Sequence, residues 1–244
     1  MRRPGLRSTL IVLALLAACV AGWAFTRERH KEEDPLGLFT SLPIYWREAA
    51  DLSAMLDPNG EPHWARRVIE ERRELRPIDV LTPETLAPFR DLLLAQPRAL
   101  APAENVALDD WVRGGGHLLL FADPLLTEQS SFAIGDKRRP IDVALLSPIL
   151  AHWGLELQFD DKQRPGEVAR DVMGIAVPTN LGGSFLTQGQ SNCELWDDGL
   201  AVTCAIGKGR AVAIADAAVL ESADPNGARR HALEALLDTA FAVR

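Results

Sequence analysis

The clearest hydrophobic pattern of the chain lies in residues 91–124, where two uninterrupted apolar runs flank one amphipathic segment. The runs Leu92–Ala95 and His117–Ala122 lack the polar alternation of a half-exposed strand, as is typical of parallel strands buried on both faces. Between them, Pro102 suits the first turn of a helix and Gly114–Gly116 suits its end. The pattern therefore predicts a βαβ unit within a layered α/β domain.

Shorter patterned segments surround this unit. Helix-like spacing occurs in Pro62–Leu75, Asp142–Trp153 and Ala228–Val243, and Thr82 with Pro83 predicts the start of a short helix. Strand-like or apolar runs are Leu36–Ser41, Ile78–Leu81, Leu155–Phe159, Val172–Val177 and Arg210–Ala215. The segment 127–141 is polar and is expected to be an exposed loop, and the segment 180–191 is rich in Gly, Ser and Gln with little to bury.

A hairpin is predicted in the last quarter of the chain. Cys193–Trp196 and Leu200–Ile206 flank an Asp-Asp-Gly turn, and Asp-Gly favours a two-residue turn between antiparallel strands. With Asp198 and Gly199 at the tip, counting outward places Cys193 opposite Cys204. In an oxidising compartment this pair is a candidate disulfide. Two small apolar residues on adjacent strands would give the same pattern.

The first 35 residues predict a membrane-targeting segment. Residues 1–8 carry three arginines, residues 9–25 are apolar and uncharged, and residues 26–35 form a charged linker. The positive-inside rule then places a single domain, residues 36–244, in the periplasm of a bacterium, anchored in the inner membrane by one span. An alternative is a lipoprotein, because Leu16-Ala17-Ala18-Cys19 resembles a lipobox in which Cys19 is lipidated. A cleaved, secreted form is the third alternative.

Composition and charge exclude one class of partner. The 244 residues are 47% hydrophobic and 25% charged, which is ordinary for a globular domain with one sizeable core. A net charge of -8 lacks the basic excess that a phosphate backbone requires. No nucleic-acid partner is expected.

Polar residues follow the predicted parallel strands at the point where each strand ends. Ser41 and Tyr45 follow the first strand, Gln96 and Asp123 follow the two strands of the central unit, and Asp216 follows a later run. Doubly wound sheets bind ligands at the carboxyl ends of their strands, so these five residues are candidates for contacting a small polar ligand. The alternative is that Gln96 and Asp123 only cap loops and neighbouring helices.

The residue types that carry catalysis are not arranged for it in the sequence. Gly182-Gly183-Ser184 lacks the closing glycine and the following helix of a nucleophile elbow. The five histidines are scattered singly rather than at zinc-ligand spacing. Gly114–Gly116 follows a helix and precedes a strand, the reverse of a phosphate-binding loop. The sequence therefore predicts no enzymatic activity, no metal and no cofactor.

Several motifs together resemble a known family. They are Trp111-Val112-Arg113-Gly114-Gly115, a strand that ends at Asp123-Pro124, and Gly207-Lys208-Gly209-Arg210-Ala211 leading to Asp216. They resemble the extracytoplasmic domain of the auxiliary component of gliding-motility-type ABC transport systems, over about residues 36–240. The resemblance implies a flavodoxin-like, class I glutamine amidotransferase-like fold that has lost its catalytic nucleophile. This chain differs from the family in its one apparent membrane segment and in lacking a long second domain.

Two functions are compatible with these observations. The first is a non-enzymatic, membrane-anchored periplasmic binding or scaffolding domain, accessory to an ABC-type transport system, with the permease or another envelope protein as its partner. The second is an envelope hydrolase or amidase that uses Ser41, Gln96 and Asp123 at the carboxyl edge of the sheet.

Overall fold

The computed structural model describes residues 35–48, 61–189, 191–221 and 227–242. The expected anchor, Cys19 and nearly all of the charged linker lie outside these ranges. Within them, no helix is both long enough and apolar enough to cross a membrane.

Helices and strands alternate in the first half of the chain, and strands dominate the second half. The helices are α1 (Trp64–Glu70), α2 (Pro83–Leu86), α3 (Pro102–Gly114), α4 (Ser147–His152) and α5 (Ala228–Phe241), with a 3-10 turn at Ala218–Leu220. The strands are β1 (Leu36–Thr40), β2 (Leu75–Pro77), β3 (Asp91–Ala95), β4 (His117–Phe121), β5 (Leu155–Gln158), β6 (Val168–Val172), β7 (Ile175–Thr179), β8 (Ser184–Thr187), β9 (Cys193–Trp196), β10 (Ala201–Ile206) and β11 (Gly209–Ile214).

Seven of these strands form the central sheet, in the order β2-β1-β3-β4-β11-β10-β9. The first five strands of this order are parallel, and β10 is antiparallel to both of its neighbours. Numbered among themselves along the chain, the parallel strands lie in the order 2-1-3-4-5, which is the order of flavodoxin-like sheets. The predicted α/β class with a central, largely parallel sheet is confirmed. The strand order reverses between β1 and β3.

The predicted βαβ unit is confirmed and lies at the centre of the sheet. Strands β3 and β4 pair in parallel, with Leu92 beside Leu118 and Ala95 beside Phe121. Helix α3 ends where Gly115 adopts a φ of +125°, a conformation that costs glycine little. Both faces of these strands are buried: α1 and α5 cover one face, and α3 and α4 cover the other. The continuous apolar runs of the sequence result from this double burial.

The strand expected at Ile78–Leu81 is wrong, because β2 ends at Pro77. Ile78 still donates its N–H to the Leu38 carbonyl (2.8 Å). The Leu81 N–H, however, is bound by Oε1 of Glu104 (3.2 Å), and α2 begins two residues later. These bonds turn the chain away from the sheet. Ile78 and Leu81 are buried as the two ends of a bend rather than as strand residues.

Both of the longer helices expected on either side of the central unit are shorter in the structure. Helix α1 spans Trp64–Glu70 and leaves Leu75 free to start β2. Helix α4 begins at Ser147, not at Asp142, because Pro148 occupies its first turn. Proline lacks the N–H that a longer helix would need at that position, so it marks the start of a helix.

Two strand pairs stand outside the central sheet. Strands β6 and β7 form a hairpin that turns at Met173 (φ +55°) and Gly174 (φ +81°), so the apolar segment 172–177 spans a turn. Strand β8 lies in the segment 180–191, for which the sequence predicts no strand, and pairs with β5. Its one fully buried residue is Phe185, and a four-residue strand with a single apolar anchor gives little periodic signal.

The hairpin predicted from Asp-Gly is confirmed. Cys193 lies opposite Cys204 in the register of β9 and β10. At the tip, Asp198 and Gly199 both have positive φ (+52° and +86°), and the Leu200 N–H donates to the Asp197 carbonyl (3.0 Å). This is the geometry of the tight turn that Asp-Gly favours.

Candidate functional site

The carboxyl edge of the parallel strands gathers four of the five candidate residues. Ser41 follows β1, Gln96 follows β3, Asp123 follows β4 and Asp216 follows β11. Because β1, β3, β4 and β11 are successive neighbours in the sheet, these side chains form a row across its top. The row includes the point between β1 and β3 where the strand order reverses, at which such folds bind ligands.

Ser41 closes the crevice at this reversal point. Its backbone N–H and its hydroxyl both donate to the Gln96 carbonyl, at 3.3 and 2.6 Å. Its Oγ also accepts a hydrogen bond from the Ile141 N–H (3.0 Å). The hydroxyl proton is therefore directed at a main-chain carbonyl, and the lone pair at a main-chain amide. A serine held in this way connects three segments of the chain and does not present an activated nucleophile.

Gln96 is fully buried and has a positive φ of +45°. Its Nε2 donates to the carbonyls of Asp123 (3.0 Å) and Ile141 (2.9 Å), and its Oε1 accepts the Asp123 N–H (2.8 Å). Both donor hydrogens and the acceptor oxygen of the amide are thus used. The side chain fixes the segment around Ile141 over the ends of β3 and β4, where a ligand would otherwise lie.

Asp123 and Asp216 are buried acids that cap the turns after their strands. Oδ1 of Asp123 accepts the Leu125 N–H (2.8 Å), and Oδ2 accepts the Ala217 N–H (3.1 Å). Asp216 accepts the N–H groups of Ala218 (2.6 Å) and Asn180 (2.8 Å). The two carboxyl groups thereby join the ends of β4, β7 and β11.

Burial controls the protonation of both acids. Desolvation raises the pKa of Asp123 to about 6, although its two backbone hydrogen bonds act in the opposite direction. Burial also raises the pKa of Asp216 well above its ordinary value, and the nearby charge of Asp123 adds to the shift. Both carboxyl groups therefore keep their protons to a higher pH than a solvent-exposed aspartate does.

Glu221 and Arg229 extend this polar network and were not predicted from the sequence. The buried guanidinium of Arg229 donates to the Ala218 carbonyl (2.8 Å) and pairs with Glu221 (3.1 Å) and Glu167. Burial raises the pKa of Glu221, while its hydrogen bond from Thr127 lowers it. Arg229 lies in the first turn of α5 and is buried. Its sequence position is also that of an ordinary exposed arginine, so no signal in the sequence singled it out.

Tyr45 lies apart from the row of strand ends. The Arg66 guanidinium stacks on its ring at 4.2 Å and donates to its carbonyl (3.0 Å), which docks the loop after β1 on α1. The edge of Trp46 packs against the same ring, with centroids 4.9 Å apart. Trp46 itself is 71% exposed and lines a cavity of about 280 Å³ beside Ser41, together with Phe132 and Arg138.

The remaining site predictions concern cysteines and metals. Cys193 and Cys204 form a disulfide bond, which links the edge strand β9 to β10. In the four described ranges, no three His, Cys, Asp or Glu side chains are grouped so as to hold a metal ion.

The hydrogen bonds of the side chains at the carboxyl edge cross-link loops of the domain. Ser41, Gln96, Asp123 and Asp216 all bind main-chain groups of other segments. A general base must reach the proton of a substrate or of a nucleophile. Each of these side chains instead reaches a backbone amide or carbonyl that belongs to the fold.

No protein-family model matches the chain, and no curated protein sequence matches it. Solved structures do resemble it. An exo-β-1,4-mannosidase from Opitutaceae bacterium strain TAV5 is 15% identical with a TM-score of 0.50, over 91% of this chain and 38% of that chain. A β-galactosidase from Bacillus circulans sp. alkalophilus is 14% identical with a TM-score of 0.49, over 87% of this chain and 32% of that chain.

A putative ThuA-like protein from Parabacteroides merdae ATCC 43184 is 12% identical with a TM-score of 0.41, over 85% of this chain and 90% of that chain. The chain thus spans about a third of the length of the two glycosidases and most of the length of the ThuA-like protein. At 15% identity, the likeness to the mannosidase concerns the fold alone.

Proposed function

We propose that this chain is a non-enzymatic scaffolding or binding domain, held on the outer face of a bacterial inner membrane by residues 9–25 and accessory to an ABC-type transport system. Its fold would be of the class I glutamine amidotransferase-like type, without the nucleophile. One observation carries the proposal: the polar side chains at the carboxyl edge are bonded to the main chain of the domain itself.

The strongest support for a non-enzymatic role is that the polar groups of the Gln96 and Ser41 side chains already form hydrogen bonds within the domain. A catalytic serine needs a base that accepts its proton, whereas the Ser41 hydroxyl donates to the Gln96 carbonyl (2.6 Å). Opening the reversal point to a substrate would require breaking the Ile141 bonds to both side chains. Each such buried bond contributes on the order of 1 kcal/mol, so the closed edge is the stable state.

The disulfide between Cys193 and Cys204 supports the placement outside the cytoplasm. Structural disulfides form and persist in oxidising compartments such as the periplasm. The arginines of residues 1–8 and the apolar run of residues 9–25 favour the same side. The transport partner is favoured by the motif resemblance described above.

Membrane topology and partner can be tested together on the full chain. A reporter enzyme that is active only outside the cytoplasm would be fused after Arg244, with a fusion that lacks residues 1–34 as the control. We expect activity from the first fusion alone. Cross-linked membranes carrying the tagged chain should yield a permease and its ATPase on affinity purification. Recovery of the chain without any transporter subunit would refute the accessory role.

The enzymatic alternative is tested by substitution at the carboxyl edge. Ser41→Ala and Asp123→Asn would be compared with the parent chain for turnover of isolated envelope fractions. We expect no turnover above background from any of the three. Activity of the parent that either substitution abolishes would overturn the non-enzymatic assignment and support a hydrolase.

A further inference from the structure

A trough of about 900 Å³ lies over the β11-β10-β9 end of the sheet, away from the row of strand ends described above. Thr203 and Ala205 of β10 form part of its floor. Met173, at the tip of the β6–β7 hairpin, and Thr239 of α5 stand on its walls, and Trp196 of β9 lies beside the floor.

The floor of this trough is a sheet face that no helix or strand of the described residues covers. On β10, Val202, Cys204 and Ile206 point to one face and are at most 6% exposed. On the other face, Thr203 is half-buried and Ala205 is exposed. Sheets of this class are normally covered on both faces. Helix α5 covers the neighbouring strands, and beyond it none of the described helices or strands lies on this face of β10.

The rim of the trough is acidic. Glu194 of β9 is exposed and forms no ion pair with any described residue, and Asp171 stands on the hairpin wall. Asp197 also lines the trough but is paired with Arg170 at 2.6 Å. Arg210 is the positively charged residue of the lining, and its guanidinium donates to the Ala242 carbonyl. The net charge of the residues that line the trough is therefore negative.

An aromatic ring and a thioether complete the lining. The Trp196 indole N–H donates to Oγ1 of Thr203 (3.2 Å), which holds the ring along the sheet. Met173 and Trp196 are both partly buried and pack against the hydrophobic core that lies between the sheet and helices α1 and α5. Carboxylates beside an indole ring are the groups that bind ammonium and guanidinium ions, by ion pairing and by cation–π contact.

We infer that this trough docks an extended, lysine- or arginine-bearing segment of a partner protein. This inference rests on the proposed scaffolding role and specifies which kind of partner segment the domain binds. An extended segment places alternate side chains on one face about 7 Å apart, which suits a floor built from a strand. The exposed Glu194 and Ala205 leave the trough open along its length, unlike the enclosed sites that take compact ligands.

The probe is a fluorescent octapeptide of alternating lysine and threonine, titrated into the full chain in a neutral detergent, with fluorescence anisotropy as the readout. An octapeptide of alternating glutamate and threonine is the matched negative probe. Glu194→Lys reverses the charge at the rim, and Glu194→Gln removes it with less disturbance. Asp161→Lys reverses an exposed charge in the loop after β5 and serves as the control variant.

We expect saturable binding of the lysine peptide that weakens about tenfold with Glu194→Lys, weakens less with Glu194→Gln and is unchanged with Asp161→Lys. Equal weakening by Asp161→Lys would show diffuse attraction to an acidic protein and would overturn the site. Spermine binding as tightly as the peptide, with the same dependence on Glu194, would replace the protein segment with a small polycation. No peptide binding, together with recovery of transporter subunits from membranes, would overturn the trough and leave the scaffolding role standing.

Discussion

Neutralising Asp123 should flatten the pH dependence of the domain's stability. The carboxyl group is fully buried, and burial raises its pKa to about 6, whereas an aspartate in an unfolded chain titrates near 3.9. The folded state therefore holds the proton more tightly than the unfolded state. The associated stability is fully present below about pH 3.9 and is lost as the pH rises through about 6.

The size of the effect follows from the two pKa values. A difference of about 2 pKa units at about 1.4 kcal/mol each corresponds to about 3 kcal/mol. Asp123→Asn remains neutral at every pH and so lacks this component. Its amide offers one acceptor where the Leu125 and Ala217 N–H groups need two, which costs on the order of 1–3 kcal/mol. The variant should therefore be about 1–3 kcal/mol less stable than the parent at pH 4, and equal to it or up to about 2 kcal/mol more stable at pH 7.5.

The assay is urea unfolding of the full chain in a neutral detergent at pH 4, 5, 6 and 7.5, followed by tryptophan fluorescence. The measured quantity is the difference in unfolding free energy between variant and parent at each pH. The contributions of titratable groups that both chains share cancel in this difference. Asp161→Asn, an exposed replacement, is the control and should give a constant difference. The changes in unfolding free energy caused by Asp123→Asn and Asp216→Asn should not add up to that of the double variant, because the charge of Asp123 contributes to the raised pKa of Asp216. A difference for Asp123→Asn that varies by less than about 0.5 kcal/mol over this range would refute the reasoning.

Two further perturbations test the hairpin. Gly199→Ala should destabilise the domain by about 2 kcal/mol or more, because φ is +86° and the new Cβ would lie 2.4 Å from the Phe185 carbonyl oxygen. Gly135→Ala, at φ +89° with no atom within 4 Å, should cost only about 1 kcal/mol, and equal losses would contradict the steric argument. Replacing Cys193 and Cys204 by Ser should lower the free energy of unfolding by about 2–3 kcal/mol, since the bond closes a short loop. The parent chain treated with a reductant should match that double variant, and a parent indifferent to reductant would contradict the prediction.

The centre of the fold was predictable because its determinants are local. Leu92–Ala95 and Leu118–Phe121 are apolar without alternation, a pattern typical of a strand buried on both faces, and the helix signals between them complete the βαβ unit. The Asp-Gly tip of the β9–β10 hairpin set the register by counting alone. In both cases the signal lies within a few residues of the feature that it predicts.

Other elements depended on contacts that no short window contains. The run Ile78–Leu81 is typical of a short strand, but Glu104, more than twenty residues away, binds the Leu81 N–H and bends the chain. Strand β8 is fixed by its pairing with β5 and by the burial of Phe185, not by any pattern of its own.

In the candidate site, too, the positions of the residues follow from local sequence, whereas their hydrogen-bond partners come from distant segments. The sheet order places Ser41, Gln96, Asp123 and Asp216 at one edge, as the strand ends predicted. Which groups they bind depends on distant segments: Ile141 reaches Ser41 and Gln96, and Asn180 reaches Asp216. The sequence positions these side chains, and only the folded loops show that their hydrogen bonds are already formed.

The position of β1 has a mechanical consequence if the domain is tethered at residues 9–25. The linker meets the sheet at Leu36, and β1 is paired in parallel with β2 on one side and β3 on the other. A pull on the tether acts along the axis of β1, so the ladder bonds on both sides are loaded together in shear rather than broken one by one. With such a tether, the strand that follows it in the chain would be held by hydrogen bonds on both of its sides, so a pull would have to break both sets of bonds at once to unravel the sheet.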